Sequence, residues 1–340
     1  MFKSINVDDL QSGGKYYSMA WDLAIMFPIL EMSGIHSKFI NELLYVYNTE
    51  NPINDNKLNR QNQITLESSI RKKQKYKELK SLDLPTVTIN CLGRSGRIGN
   101  QLFQAAATIA YAKENNLEPV FNWYCTYTKK NMSSFFKHKV SNNLSNLKIE
   151  ERYSELDYTY NKIPNKTNVC LSGYFQSEKY FKQYENLIRE YFEPNDQVKN
   201  KLLAKYGNLL NRETCAIHVR RGDYVNNQYH NVCDLEYYNK AIIKMKELKH
   251  IDNFMVFSDD INWCKQNLKG LTYIEGNLDI EDIFLMSMCN NFIISNSSFS
   301  WWGSWLSTNE NKTIISPSKW FGKASTNNDK DVYREDMIKL

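Results

Sequence analysis

From Thr214 to Ser316 the chain alternates short apolar runs with longer amphipathic stretches, and this alternation constrains its fold more than any other feature. Thr214–Val219, Asn253–Ser258, Leu271–Glu275, Asn291–Ser295 and Lys312–Ser316 have the length and β-branched or aromatic content of buried strands. Asp234–Lys249, Ile261–Leu268, Asp279–Cys289 and Phe299–Ser307 read as the intervening helices, with Asp234 and Asp279 placed to cap two of them. A strand–helix–strand order implies parallel strands joined by right-handed crossovers, hence a doubly wound sheet. A less regular version of the pattern precedes it. Strands are expected at Thr86–Leu92, Glu118–Trp123 and Asn168–Phe175, and helices at Asn100–Glu114 and about 178–191. Residues 125–165 read as a polar excursion, and Pro194 sits at the first turn of another helix.

Residues 1–85 have a different character. Met19, Leu23, Met26 and Leu30 recur on one helical face, and Phe39, Leu43 and Leu44 give a second apolar edge. Asn51–Asn56 is turn-rich, Ile70–Lys80 reads as a basic, solvated helix, and Leu84-Pro85 as the end of a linker. The expected class is therefore α/β. Two Rossmann-like domains, 86–195 and 196–340, follow a small, mostly helical N-terminal segment, 1–85.

Composition excludes several functions. A net charge of +5 over 340 residues is too weak and dispersed for nucleic acid. The seven cysteines are odd in number, form no Cys-x-x-Cys pair and mostly sit in apolar runs, so free buried thiols are expected. Five histidines without clustered Cys/His spacing argue against structural zinc. Asp329-Lys330-Asp331 reads as a solvated tail after the last strand, so no metal site is expected. Met1–Gly14 is polar and unlike a secretory signal. The apolar window Ala20–Met32 contains Asp22 and Pro28 and is too short for a membrane span, so a cytoplasmic location is expected.

Chemistry concentrates at the ends of the strands, where open α/β sheets bind ligands. His218-Val219-Arg220-Arg221-Gly222-Asp223-Tyr224 follows the run Cys215–Ile217. Two arginines there suit a dianion such as a pyrophosphate, with Asp223 orienting one of them or accepting from a ribose hydroxyl. A structural Arg–Asp ion pair is the competing reading. Gly93–Gln101 lies between a strand and a helix; Gly96, Gly99 and Asn100 would bring backbone and helix N–H groups to an anion, although the spacing fits neither a dinucleotide fingerprint nor a P-loop and a tight turn without a ligand is the competing reading. Ser297 and Ser298 can cap a helix whose N-terminus binds phosphate, and Trp301 and Trp305 share a face of it, with core packing expected for at least one of the tryptophans in this segment. Ser258 and Asp259, beside Asp260, can meet a ribose or a guanine edge, or Asp259 or Asp260 can cap the next helix.

In this order the segments resemble the α-1,2-fucosyltransferases of glycosyltransferase family 11, over roughly residues 86–322. The matching stretches are Gly96–Gln104, Gly173–Phe181, His218–Tyr224 and Asn296–Trp305. The resemblance implies a GT-B fold, with two Rossmann-like domains facing a cleft. It further implies a GDP-fucose donor, no metal or other cofactor, inversion at the fucose anomeric carbon and a galactose-terminated glycan acceptor. It points to Arg220, Asp223 and His218 as catalytic residues, with Arg221 and Asn100 also at the donor, and Gln176, Glu178 and Trp301 are expected on the acceptor side. Asp223, Glu178 and His218 all remain open as the general base. Ser18–Pro28 and Tyr45–Asn56 are similar to the C-terminal end of a family 2-like, GT-A type glycosyltransferase. Residues 1–85 are therefore expected to lack transfer activity of their own and to be a fusion remnant or a docking segment for another glycosyltransferase or an acceptor.

Overall fold

The computed structural model describes residues 4–34, 37, 59–77, 85–144 and 147–340. Met1–Asp83 and Leu84–Leu340 are separate compact units. The first holds a hairpin, Gln11–Ser12 with Lys15–Tyr16, and helices Trp21–Ser33 and Arg60–Arg71. Tyr17, Ala20, Ala24 and Ile70 form its small core. The basic run is not a free helix. The helix stops at Arg71, and Lys73 Nζ then donates to Asp8 O (2.7 Å) while Tyr76 OH donates to Asp9 Oδ2 (2.6 Å). Phe39, Leu43, Leu44, Asn51–Asn56, Leu84 and the resemblance at Tyr45–Asn56 lie outside the described residues.

The second unit contains two parallel sheets. One runs in the order Glu118–Pro119, Thr86–Ile89, Val169–Ser172, Glu151–Ser154. The other has six strands, in the order Thr272–Tyr273, Phe254–Ser258, Cys215–Val219, Asn291–Ile293, Ile314–Ser316, Met337–Lys339. Cys215–Val219 is buried at every position, which is why a central parallel strand reads as one apolar run rather than an alternation. Helix Ile98–Asn115 is buried around most of its circumference. It packs against the first sheet and against helix Ser298–Leu306 of the second. Phe103 lies 4.5 Å from the Trp301 ring and Phe181 stacks on Trp302 at 5.4 Å, so one aromatic core joins the two halves. The architecture is GT-B: two Rossmann-like sheets facing a cleft.

The supposed polar excursion contains a strand, Glu151–Ser154, pairing in parallel with Val169–Ser172. The helix expected at 178–191 begins as two 3-10 turns and is α-helical only from Glu185. Asp279 is the first residue of its helix, not the cap; Glu281 reaches back to the Leu278 N–H at 3.0 Å. The tail is built in. Met337–Lys339 is the sixth strand, and the buried Asp331 carboxylate accepts from Lys179 Nζ (2.6 Å) and Tyr160 N (2.8 Å). No helix among the described residues is long and apolar enough to cross a membrane.

Candidate active site

A cleft of about 580 Å³ opens between the two sheets of the second unit, at the carboxyl ends of the second sheet's strands. Parallel pairing of Ser258 with Val219 brings the residues that follow each strand side by side. Arg220 therefore meets Asp259, with Nη1 2.8 Å from Oδ2, while Nη2 donates to Asp223 Oδ1. Its guanidinium also lies 5.0 Å from the Tyr224 ring centroid. Gly222 permits the approach, because a Cβ there would collide with the Asp259 carboxylate. A cation held from two sides in this way needs no reorganisation when an anion arrives.

Arg221 is not in the cleft wall. The strand ends at Val219, and the Arg221 side chain turns outward from a backbone that is no longer extended. Its Nε donates to Asp260 Oδ2 at 3.1 Å and its guanidinium stacks 4.3 Å over Trp263. Arg221 thus makes an Arg–Asp ion pair of the kind that competed with the donor-site reading. Asp260 caps helix Ile261–Asn267 and accepts from Trp263 N (3.2 Å). Asp259 lines the cleft and accepts from Arg220 Nη1 (2.8 Å) and from the Arg221 backbone N–H (2.9 Å). Ser258 lines the cleft and accepts from Asp260 N (2.9 Å).

His218 is buried on the cleft floor, its Nδ1 2.8 Å from Ser295 Oγ and its ring stacked on Phe299. Burial, with the Arg220 charge second, pushes its pKa down to about 3, so the imidazole is neutral throughout the physiological range. Gly96, Gly99 and Asn100 border the cleft from the first half. Asn100 Oδ1 joins the halves, accepting from Gln176 Nε2 (2.8 Å) and Ser298 Oγ (2.5 Å). Ser297 caps helix Ser298–Leu306. The N-termini of this helix and of Ile98–Asn115 both reach the cleft, where their first N–H groups and dipoles favour an anion. Arg97, at the start of the first-half helix, adds a second cation to the wall.

Two expected acceptor residues lie elsewhere. Trp301 is fully buried and donates through Nε1 to Val332 O (2.8 Å); its spacing with Trp305 builds core rather than a sugar platform. Glu178 pairs with Lys182 at 3.1 Å, outside the cleft wall. Several wall residues escape sequence reasoning. Tyr158 and Tyr174 stack at 5.8 Å, and Phe321 stands edge-on to Tyr158 at 5.2 Å. Tyr174 lies within the matching stretch Gly173–Phe181 and Tyr158 within a tyrosine-rich run through 153–160, whereas nothing in the sequence singled out Phe321. Asp279 and Asp282 also face the cleft, and burial pushes Asp282 up to about 7 although Asn277 Nδ2 donates to it at 2.8 Å. Among the described residues no group of three or more His, Cys, Asp or Glu is placed to hold a metal ion.

The model of glycosyl transferase family 11 matches residues 53–340, a wider span than the motifs alone cover. The chain belongs to glycosyltransferase family 11. Among family 11 relatives, an alpha-1,2-colitosyltransferase of Escherichia coli is 33% identical over 270 residues, covering 68% of this chain and 92% of that protein. A galactoside 2-alpha-L-fucosyltransferase of Caenorhabditis elegans is 28% identical over 266 residues, covering 70% and 74% respectively. A solved structure of the Bradyrhizobium alpha-1,6-fucosyltransferase NodZ, soaked with GDP-fucose, matches with a TM-score of 0.49 at 14% identity, covering 66% of this chain and 93% of NodZ.

Proposed function

We propose that this family 11 glycosyltransferase is a galactoside 2-alpha-L-fucosyltransferase, moving fucose from GDP-fucose to a galactose-terminated glycan with inversion and without a metal ion. The observation that carries the reading is Arg220, fixed by Asp223 and Asp259 in a cleft onto which two helix N-termini converge. GDP departs as a charged diphosphate, so it needs neutralisation more than protonation. Arg220, Arg97 and the two helix N-termini supply it, and an oxocarbenium-like transition state gains most from charge that is already in place. Gly96, Gly99, Asn100, Ser297 and Ser298 line the diphosphate's path, while the open carboxylate of Asp279 can accept N–H bonds from the base. Tyr158, Tyr174 and Phe321 offer ring faces and edges to the acceptor sugar, with Gln176 held nearby by Asn100.

Relatives named as galactoside 2-alpha-L-fucosyltransferases support fucose as the transferred sugar. A second reading has its own support, since the 33% identical relative is named a colitosyltransferase. Colitose is fucose without the 3-hydroxyl, and a site that hydrogen-bonds this hydroxyl rejects the deoxy sugar by roughly 10⁴-fold or more. The test offers GDP-fucose and GDP-colitose, with and without EDTA, to a panel of galactose-terminated acceptors while GDP release is followed. The expected result is EDTA-resistant turnover from GDP-fucose. Exclusive use of GDP-colitose would replace the donor, and loss of turnover on chelation would overturn the metal-free mechanism.

A further inference from the structure

Inverting transfer needs a group to take the proton of the acceptor hydroxyl. The three candidates legible in the sequence fit poorly. His218 is buried, uses Nδ1 on Ser295 and has its pKa driven to about 3. Glu178 is paired with Lys182 away from the cleft, and Asp223 is bonded to Arg220. His230 also lines the cleft. Its ring stacks face to face on Tyr224, 4.0 Å between centroids and 3° from parallel, and the Arg220 guanidinium lies 5.0 Å from that same tyrosine ring. The backbone is pinned on both sides: His230 N donates to Asn227 O (3.2 Å), Gly322 N donates to Tyr229 O (2.9 Å), and His230 bridges to Phe321. Gly322 allows this closeness, since a Cβ there would lie 2.8 Å from His230 C. Neither ring nitrogen of His230 has a hydrogen-bond partner among the described residues. The imidazole is positioned by stacking and by its backbone, which leaves a nitrogen lone pair available in the cleft.

We propose that His230 is the general base for the acceptor hydroxyl, an assignment that rests on the transferase reading above. As the hydroxyl oxygen bonds to the sugar's anomeric carbon, its proton passes to the imidazole nitrogen. The bond from that carbon to the diphosphate breaks, its electron pair leaves on the β-phosphate oxygen beside Arg220, and the imidazolium later releases its proton to solvent. The charged groups acting on His230 are Asp223 and Arg220 from its own segment; Trp320 and Phe321, on the segment packed against it, carry no charge. Burial lowers the imidazole pKa, Asp223 partly opposes this and Arg220 adds to it, so the ring is neutral near pH 7 and able to accept a proton.

The test compares wild type, His230→Phe and His230→Ala in the full chain, with GDP-fucose and a galactose-terminated acceptor, across pH and with added imidazole. Thermal melts confirm that each variant is folded. Phe keeps the stack and removes the nitrogen. Both variants are expected to lose about 10²–10⁴-fold in kcat, with GDP affinity within about threefold of wild type. The acid limb of the wild-type kcat profile should disappear, and imidazole should partly restore His230→Ala alone. Near-wild-type kcat in His230→Phe, or an unchanged acid limb, would reduce His230 to packing while leaving the transferase reading intact. Absence of fucosyl transfer by the wild type would overturn both.

Discussion

Truncating Arg220 and Arg221 separately should give opposite results, although the two residues are adjacent and identical. Arg220 is 12% exposed and carries its charge between Asp223 and Asp259 in the cleft wall. Arg220→Ala removes a preorganised charge partner for the departing diphosphate, a loss of about 3–4 kcal/mol in transition-state stabilisation. It also leaves two carboxylates uncompensated where a dianion must bind, adding roughly 1–3 kcal/mol. The sum is about 4–7 kcal/mol, or three to five decades in kcat/KM. Arg221→Ala removes one ion pair and one stack on Trp263 outside the cleft, costing about 1 kcal/mol of stability and less than threefold in rate. Initial-rate GDP release measures the first effect, GDP titration calorimetry its binding share, and denaturant unfolding the second. Arg220→Ala retaining a tenth of wild-type kcat/KM, or Arg221→Ala falling as far, would refute the assignment of roles.

Other consequences follow from the same geometry. A Cβ at Gly99 would sit 2.5 Å from Phe299 N and 2.6 Å from Ser298 C, so Gly99→Ala should force the two helix starts apart. It should cost roughly 1–3 kcal/mol in unfolding experiments and more than tenfold in transfer rate. Trp301→Phe should lower stability by roughly 1–3 kcal/mol through lost packing and the lost bond to Val332, with the acceptor KM unchanged in steady-state assays. Asp282 binds its proton more tightly folded than unfolded, so its contribution to stability is fully present below the unfolded value near 3.8 and is lost as pH rises through about 7. Asp282→Asn should therefore gain Tm relative to wild type as pH increases from 4.5 to 8, measured by parallel thermal melts.

The second sheet was the more legible half because its central strands are buried on both faces and read as largely apolar runs rather than alternations. Glu151–Ser154 escaped for the converse reason. It is an edge strand with mostly exposed side chains, so no apolar run marks it. Met337–Lys339 is another edge strand, three residues long, behind a polar segment whose Asp331 becomes buried only through partners more than 150 residues away. The arginine pair was conspicuous, and the sequence reading put both arginines on the same dianion. Which of them faces the cleft depended on Asp259 and Trp263 in another strand–helix unit. Tyr158 and His230 had no periodicity to betray them; they lie in loops that only the closed chain brings to the cleft.

The most direct test of fucosyl transfer itself is nuclear magnetic resonance of the product made from GDP-fucose and a galactose-terminated acceptor in EDTA. An α-configured fucose bonded to the 2-oxygen of galactose, with one GDP released per linkage, is the expected result. A β-configured product, a different galactose oxygen, or GDP release without any new glycosidic bond would contradict it.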